Sequence, residues 1–377
     1  MSLSKSFKSK IKKLLNNDRR LSSTPLPKTF KAAVIKSAGG EFEVIEKPLE
    51  APKAGTILVK VLACGVCARQ VILNHRRIVH ELIGRYSDAM VKYGMTALPR
   101  VAGHEVIGDV VSVPAGETRW KVGDRVGSGW HGGHCHECGS CKEGDFITCS
   151  KEAINGISQD GGYAEYVTLR TEAVLPISKD LDPAEAAPLL CAGITTFNAL
   201  RNVPGLKKGD VVAVLGLGGL GHLGIQYAKA MGYKVVALSQ SDAKKDLATK
   251  LGADIYLDGS KVNQAEELMK LGGAKVILAT APQGAAISTL LGGLSIGGTM
   301  LTVAIADLEL STVALIGKRA TVKGWPSGHA KDSEEAVAFA KKHNIKPMVE
   351  KFTLAQANEA FNKMQSGQVK FRAVLTP

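Results

Sequence analysis

A run of cysteines, HCHECGSCKEGDFITC at residues 134–149, constrains the fold of this chain more than any other feature. Four thiols recur in it with the spacing C-x2-C-x2-C-x7-C: Cys135, Cys138, Cys141 and Cys149. Thiolates at such short separations can close a tetrahedral shell around one Zn²⁺, the pattern of a structural zinc site. Two disulfides are the alternative, but CxxC spacing without a secretory signal favours the metal. We expect His134 and His136 to lie on an exposed loop outside the filled shell.

Length and composition indicate an ordinary globular enzyme. The 377 residues suffice for two domains with separate cores, and 45% of them are hydrophobic. No apolar run is long enough to span a bilayer, so we expect no membrane partner. Thiolates that serve as metal ligands imply a reducing compartment, and we therefore expect a cytoplasmic protein.

The formal net charge of +13 is concentrated in two segments. Residues 1–28 carry eight basic side chains and one acid, and residues 68–86 carry four arginines and one glutamate. The rest of the chain is close to neutral, so we expect no nucleic-acid partner. Residues 1–28 also repeat apolar side chains at helical spacing, which predicts either a disordered extension or a mitochondrial targeting segment.

Two kinds of periodicity divide the remaining chain. From Lys31 onward, short alternating segments such as TILVKVLACGVC are separated by Pro and Gly, which predicts a small β-barrel. From about Ala186, apolar strands such as DVVAVLG alternate with helical segments, the pattern of a doubly wound parallel sheet. We therefore predict an α/β protein with an extension over 1–28, a strand-rich domain formed by 29–185 and 325–377, and a doubly wound domain over 186–324.

A glycine-rich turn, GLGGLG at residues 216–221, follows the first strand of the doubly wound domain. In this strand–turn–helix context the motif predicts a dinucleotide site, because glycines let the backbone approach a pyrophosphate at the helix N-terminus. A merely tight turn is the alternative. The predicted cofactor-binding glycines are Gly216, Gly218, Gly219 and Gly221.

The cysteine run, with WHGGH before it and KEGDF inside it, resembles the structural-zinc lobe of the zinc-dependent medium-chain alcohol dehydrogenases. The resemblance extends from about Lys31 to Pro377 and is closest to the branch of fungal alcohol dehydrogenases and cinnamyl-alcohol-dehydrogenase-like enzymes. It implies a GroES-like β-barrel catalytic domain, a Rossmann domain, a second zinc ion and a nicotinamide cofactor.

The resemblance also implies the ligands of a catalytic zinc. In the family these are the Cys of a G-V-C element, the His of G-H-E and a later Cys, which fall on Cys67, His104 and Cys191. Two thiolates and one imidazole leave a fourth position open, where zinc acts as a Lewis acid on an alcohol or aldehyde oxygen. Glu105 is expected to ligate transiently. The resemblance further implies that the nicotinamide contacts Thr195 and that the substrate pocket wall contains Trp130 and His131.

The end of the second Rossmann strand bears on the choice between NADP and NAD. An acid there would bind the ribose 2′-hydroxyl and repel a 2′-phosphate. Ser239 stands at the position where NAD-preferring relatives carry the acid, and Lys244 follows closely. We therefore predict NADP as the cofactor, with NAD as the alternative.

The family pattern is interrupted after Cys67. Relatives place one residue between this cysteine and a Ser-Asp pair, whose hydroxyl relays the proton and whose acid braces the zinc site. Here the 19 residues 68–86 separate Cys67 from Ser87 and Asp88. We expect this insertion, which a retained intron would explain, to weaken zinc binding and turnover. A tolerated loop is the alternative.

The sequence as a whole predicts a zinc-dependent oxidoreductase that interconverts primary alcohols and aldehydes by hydride transfer with NADP(H) or NAD(H). It would hold two zinc ions per chain, act on a small-molecule alcohol or aldehyde, and form a homo-oligomer, either a dimer or a tetramer. One alternative is a catalytically impaired relative that retains dinucleotide and structural zinc binding. Another is a polyol dehydrogenase, although Cys191 in place of an acid argues against it.

Overall fold

The computed structural model describes residues 25–67 and 87–377. Residues 1–24, most of the predicted basic extension, and the insertion 68–86 lie outside the described residues. Within the described part, no helix combines the length and the apolarity that crossing a membrane would require.

The strand-rich domain consists of short strands between glycine and proline turns, as the alternating pattern predicts. Its N-terminal strands are Thr29–Ile35 (β1), Glu43–Pro48 (β2), Thr56–Val66 (β3), Arg100–Val101 (β4), Val106–Ser112 (β5), Arg125–Ser128 (β6), His131–Gly133 (β7), Ala153–Ile154 (β8), Tyr166–Arg170 (β9) and Leu175–Pro176 (β10). The short helices between them are Ala89–Lys92 (α1), Gly139–Lys142 (α2) and Pro183–Ala186 (α3), with 3-10 turns at Phe146–Thr148, Thr171–Ala173 and Ala187–Leu190.

Strands and helices then alternate up to Gly324. The strands are Val211–Leu215 (β11), Lys234–Ser239 (β12), Ile255–Asp258 (β13), Ala274–Ala279 (β14), Leu294–Thr302 (β15) and Thr321–Gly324 (β16). The helices are Ala192–Arg201 (α4), Gly221–Ala230 (α5), Lys245–Lys250 (α6), Gln264–Lys270 (α7), Gly284–Thr289 (α8) and Thr312–Lys318 (α9), with 3-10 turns at Asp242–Lys244 and Leu290–Gly293. The strands pair in parallel in the order β13-β12-β11-β14-β15-β16, which confirms the predicted Rossmann fold.

The chain finally returns to the barrel. The last elements are Ala330–Lys342 (α10), Val349–Thr353 (β17), a 3-10 turn at Leu354–Gln356, Ala357–Gln365 (α11) and Arg372–Thr376 (β18). Strands β17 and β18 complete the sheet β10-β6-β5-β3-β18-β17, β9 pairs with β3, and β2-β1-β4 and β7-β8 form smaller sheets. The GroES-like barrel is therefore confirmed. The predicted domain boundaries lie between these sheets and stay a prediction.

Local signals explain why these elements form where they do. All five residues of β11, the sequence VVAVL, are buried, as a central parallel strand covered on both faces requires. Helix α7 begins where the Asn263 side chain accepts hydrogen bonds from the N–H groups of Ala265 and Glu266, a favourable N-cap. Between α4 and α10, Arg201 forms ion pairs with Asp332 and Glu335. An apolar cluster shared by barrel and Rossmann residues continues across the domain junction.

The four predicted zinc ligands converge in a lobe around α2. The Sγ atoms of Cys135 and Cys149 lie 3.5 Å apart, and those of Cys135 and Cys141 lie 3.9 Å apart. All four sulfur atoms lie within 4.8 Å of one another. A zinc tetrahedron with Zn–S bonds of about 2.3 Å needs S–S separations of about 3.8 Å. Backbone N–H groups lower the pKa of the Cys138 thiol to about 6, whereas burial raises that of the Cys141 thiol to about 12. The donor set fits the predicted structural zinc on its four sulfur atoms and their separations.

Replacing Cys138 by Ser should remove one ligand from this closed shell. Because zinc binding is coupled to folding, we expect a lower zinc content and a melting temperature well below that of the parent chain. Glu143→Gln, at the exposed end of α2, is the control and should melt like the parent. A soluble Cys138→Ser protein that keeps its zinc and its melting temperature would contradict the structural role.

Candidate active site

Asp88 organises the predicted ligands of the catalytic zinc. Its fully buried carboxylate accepts hydrogen bonds from the N–H groups of Cys67 at 2.9 Å and Gly103 at 3.2 Å. The Tyr163 hydroxyl donates to it at 2.8 Å, and the Nδ1 atom of His104 lies 3.0 Å from its Oδ1. Four donors around one carboxylate satisfy its hydrogen-bonding capacity in the absence of water.

The chain closes across residues 68–86 through a pair of hydrogen bonds. The N–H of Asp88 donates to the carbonyl of Cys67 at 3.0 Å, and the N–H of Cys67 donates to the Asp88 carboxylate. Ser87 is buried next to this contact. The Ser-Asp pair therefore reaches the first predicted ligand in spite of 19 intervening residues.

Cys67, His104, Glu105 and Cys191 form the second candidate metal group. Their potential ligand atoms all lie within 4.8 Å of one another, and the two thiol sulfurs are 3.9 Å apart. Because Asp88 accepts from His104 Nδ1, the Nε2 lone pair is left for a metal. This Nε2 is buried and has no hydrogen-bond partner among the described residues. Two thiols and a free imidazole nitrogen fit zinc with an open fourth position.

The electrostatics favour a metal-binding thiolate. A hydrogen bond from Cys191, together with His104 and Arg372, lowers the pKa of the Cys67 thiol well below its usual value. Burial acts to lower the pKa of His104, but the Asp88 carboxylate and Cys67 together raise it well above the usual range, so a metal that binds Nε2 would displace a proton from it. The thiolate is the form of cysteine that binds metals. The lowered pKa of Cys67 therefore favours cation binding at its sulfur atom.

Arg372, the first residue of β18, links this group to the glycine turn. Its guanidinium is buried and donates to the buried carboxylate of Glu105. Burial raises the pKa of Glu105, and the charge of Arg372 opposes this shift. The Arg372 side chain also lies beside Gly219, where an added Cβ would stand 3.2 Å from it. Arg372 thus restrains Glu105 within the ligand group.

The ligand group borders a cavity of about 770 Å³ between the barrel and the Rossmann sheet. Cys191, Thr195 and Trp130 line this cavity, and the Trp130 ring packs edge-on against His104 with centroids 5.0 Å apart. The cavity therefore brings a predicted zinc ligand together with residues predicted to meet nicotinamide and substrate. Ser87 lies outside the set of described residues that line it, so its proton-relay role stays a prediction.

One of the two histidines in the cysteine run differs from expectation. His136 is exposed as predicted, but His134 is buried and stacks on Phe146 with ring centroids 4.0 Å apart. Its Nδ1 lies 3.1 Å from the Nε2 of His131, because the β7–β8 hairpin holds the start of the lobe against the barrel. Burial and the neighbouring histidines lower the pKa of His131 to about 3. His131 contacts His134 and is not among the described residues that line the cavity.

The glycine turn between β11 and α5 has the shape that a dinucleotide needs. Gly216 has φ of +92°, and a Cβ on Gly221 would lie 1.8 Å from the Gly216 carbonyl oxygen. Beside Gly218 no atom of the described chain lies within 4 Å of an added Cβ, which leaves room for a pyrophosphate. The Nδ1–H of His222 donates to the Gly218 carbonyl at 3.0 Å, and its Nε2 accepts from the N–H of Met348.

The residues predicted to choose the cofactor lie near this turn. Ser239 ends β12, the strand beside β11. The Nζ of Lys244 donates to the carbonyl of Leu217, within the turn, at 2.8 Å. The nearby acid Asp242 is exposed and paired with Lys261 at 2.6 Å. Ser239 therefore places a hydroxyl at the end of β12, and the nearby carboxylate of Asp242 is already in an ion pair with Lys261.

Three residues at the site were not predicted from the sequence: Tyr163, His222 and Arg372. Tyr163 and Arg372 belong to segments that read as ordinary barrel sequence, and His222 belongs to an ordinary amphipathic helix. A polar residue inside a buried segment was the available signal, but it does not reveal which distant group the side chain meets.

Known proteins match both halves of the chain. Residues 53–179 match the alcohol dehydrogenase GroES-like domain, and residues 219–342 match the zinc-binding dehydrogenase domain. The alcohol dehydrogenase patD of Penicillium expansum is 46% identical over 353 residues, covering 93% of this chain and 98% of the relative.

Solved structures agree with this assignment. A cinnamyl alcohol dehydrogenase from Sorghum bicolor, SbCAD4, superposes with a TM-score of 0.78 at 28% identity, covering 93% of this chain and 98% of its own. The CAD from Helicobacter pylori, solved in complex with NADP(H), superposes with a TM-score of 0.76 at 26% identity, covering 92% and 98%. Both domains match, the identity extends along nearly the whole length, and the fold is shared. The chain therefore belongs to the zinc-dependent medium-chain alcohol dehydrogenases.

Proposed function

We propose that this alcohol dehydrogenase reduces aldehydes to primary alcohols, or catalyses the reverse reaction, and prefers NADPH to NADH. The observation that carries the proposal is the convergence of Cys67, His104 and Cys191 beside the cavity. The shaped glycine turn supports a dinucleotide on the Rossmann side of the same molecule.

Cys67, Cys191 and the Nε2 of His104 would hold the catalytic zinc, which when bound polarises the oxygen of the alcohol or aldehyde. Asp88 keeps the proton of His104 on Nδ1 and so keeps Nε2 available as a ligand. Glu105, held by Arg372, lies within reach of the same position and would ligate during ligand exchange.

A bound nicotinamide would supply or accept the hydride. Thr195 would contact its ring from the cavity wall, and Trp130 would bound the substrate on the side of His104. The Ser87 hydroxyl, buried beside Asp88, would carry the proton between the substrate oxygen and solvent. The Gly218 region would accept the pyrophosphate at the N-terminus of α5.

Ser239→Asp should shift the cofactor preference toward NADH. A carboxylate at this strand end would repel the 2′-phosphate of NADPH and accept the 2′-hydroxyl of NADH, as an acid does in NAD-specific Rossmann sites. We expect the ratio of kcat/KM for NADPH over NADH to fall about tenfold, the effect of about 1.4 kcal/mol. Gln240→Arg is the matched opposite change and should raise the ratio. A parent chain that clearly prefers NADH would refute the proposed preference.

The insertion after Cys67 raises the alternative of a catalytically impaired enzyme. The paired hydrogen bonds between Cys67 and Asp88 support the other hypothesis, a tolerated insertion, because they hold the ligand and its brace in contact. The entropy cost of closing a loop grows only slowly with the number of residues between its ends. We therefore propose that the full-length chain is active.

A shortened chain, in which a single His joins Cys67 to Ser87, tests this proposal. We expect it to match the full-length protein in zinc content per chain and in kcat, because the flanking contacts are already formed. Higher zinc content and faster turnover in the shortened chain would instead support the impaired enzyme and the retained intron.

We also propose that the protein is a homo-oligomer and that it is cytoplasmic, with mitochondria as the alternative. Val313 and Ile316, three residues apart on α9, are 80% and 78% exposed, and an apolar pair on one helix face suits burial against another copy. The seven free cysteines support a reducing compartment. Val313→Glu with Ile316→Glu should lower the sedimentation coefficient, and an unchanged value would exclude this face as the contact. Cell fractionation would locate the protein.

A further inference from the structure

Glu152 carries a half-buried carboxyl that the proposed reaction does not use. It lines the same cavity as Cys191 and Trp130. Its Oε1 is buried and has no hydrogen-bond partner among the described residues. A polar atom left unpaired in a cavity wall costs free energy unless a ligand satisfies it.

The backbone holds this carboxyl firmly in the wall. The N–H of Glu152 donates to the carbonyl of Cys149, a predicted structural-zinc ligand, at 3.1 Å. The next residue begins β8, which pairs with β7. The backbone of Glu152 is therefore fixed between the cysteine lobe and the paired strands β7 and β8. A side chain that selects a substrate needs such a fixed position.

The surrounding wall is suited to an organic substrate with one additional polar group. Met90, Ile147 and Ile154 supply apolar surface to the same cavity. A few polar groups in a mainly apolar pocket are what fixes the orientation of a small ligand. The Glu152 carboxyl is such a group, and it lies in a different part of the chain from the three predicted catalytic ligands.

We infer that Glu152 is a specificity-determining residue, which binds a hydroxyl group that the substrate carries on a carbon other than the reacting one. The inference rests on the proposed function, and it names the substrate class as hydroxyl-bearing aldehydes and the corresponding diols. A hydroxyl both donates and accepts, so it pairs with the shielded Oε1 of Glu152 without bringing in a second charge. Sites built to pair with a hydroxyl discriminate against analogues that lack it.

The test compares aldehydes that differ only in this group. The probes are 4-(hydroxymethyl)benzaldehyde, 4-methylbenzaldehyde and 4-(methoxymethyl)benzaldehyde, which removes the donor but keeps the oxygen. We expect kcat/KM of the parent chain to be about tenfold higher for the hydroxymethyl aldehyde than for the methyl one. Glu152→Met should bring the ratio close to one. Glu143→Met, an exposed glutamate of the same lobe, is the control and should keep the parent's ratio.

Equal kcat/KM for the hydroxymethyl and methyl aldehydes in the parent chain would overturn the inference. A Glu152→Met protein that keeps the parent's ratio would also overturn it. The melting temperature gives an independent readout, because removing a half-buried carboxyl that has no hydrogen-bond partner should not lower it. A clear fall in the melting temperature of Glu152→Met would assign Glu152 a structural role instead.

Failure of the proposed function is distinguishable from failure of this inference. If the protein reduces none of the aldehydes with either cofactor, the proposed function fails. Calorimetry with 1,4-benzenedimethanol and 4-methylbenzyl alcohol then tests Glu152 directly. The parent chain should bind the diol more tightly, and Glu152→Met should bind the two alike. Equal affinities in the parent chain would overturn the inference.

Discussion

The buried carboxylate of Asp88 is the interaction on which the active site depends. It accepts the N–H groups of Cys67 and Gly103, and it orients His104 through Nδ1. This one side chain, two residues after the insertion, thus joins the end of β3 to the loop before β5. Removing the carboxylate would leave buried donors unpaired, which costs more than the loss of a single exposed hydrogen bond. The tautomer of His104, and with it the free Nε2, follows from this one contact.

The two candidate zinc sites are connected through strand pairing and side-chain packing. The cysteine lobe is followed directly by Glu152 and by β8, whose partner β7 begins next to Trp130. Trp130 in turn packs against His104. A closed zinc shell that orders the lobe would therefore also order the part of the cavity wall that receives the substrate.

The periodicity of the sequence predicted the fold well, because it reports local burial. The VVAVL strand, the glycine turn after it and the four-cysteine spacing are local patterns with direct structural consequences. Tyr163, Arg372 and Glu152 could not be predicted in the same way, since their environments come from distant segments. The burial of His134 was missed for the same reason. Sequence also could not decide whether the chain reunites Cys67 with Asp88, because the cost of closing a loop changes slowly with its length.

The zinc affinity of Asp88→Asn in the full-length chain tests the central role of this carboxylate most directly. Asparagine keeps the shape of the side chain but turns an amide donor toward groups that are themselves donors. Asp109→Asn, at a barrel aspartate paired with Arg125, is the matched control. We expect two zinc ions in the parent and in the control. In Asp88→Asn we expect one zinc ion to be held as before and the other to bind about 10- to 100-fold more weakly. Unchanged affinity for both ions would contradict the central role of Asp88.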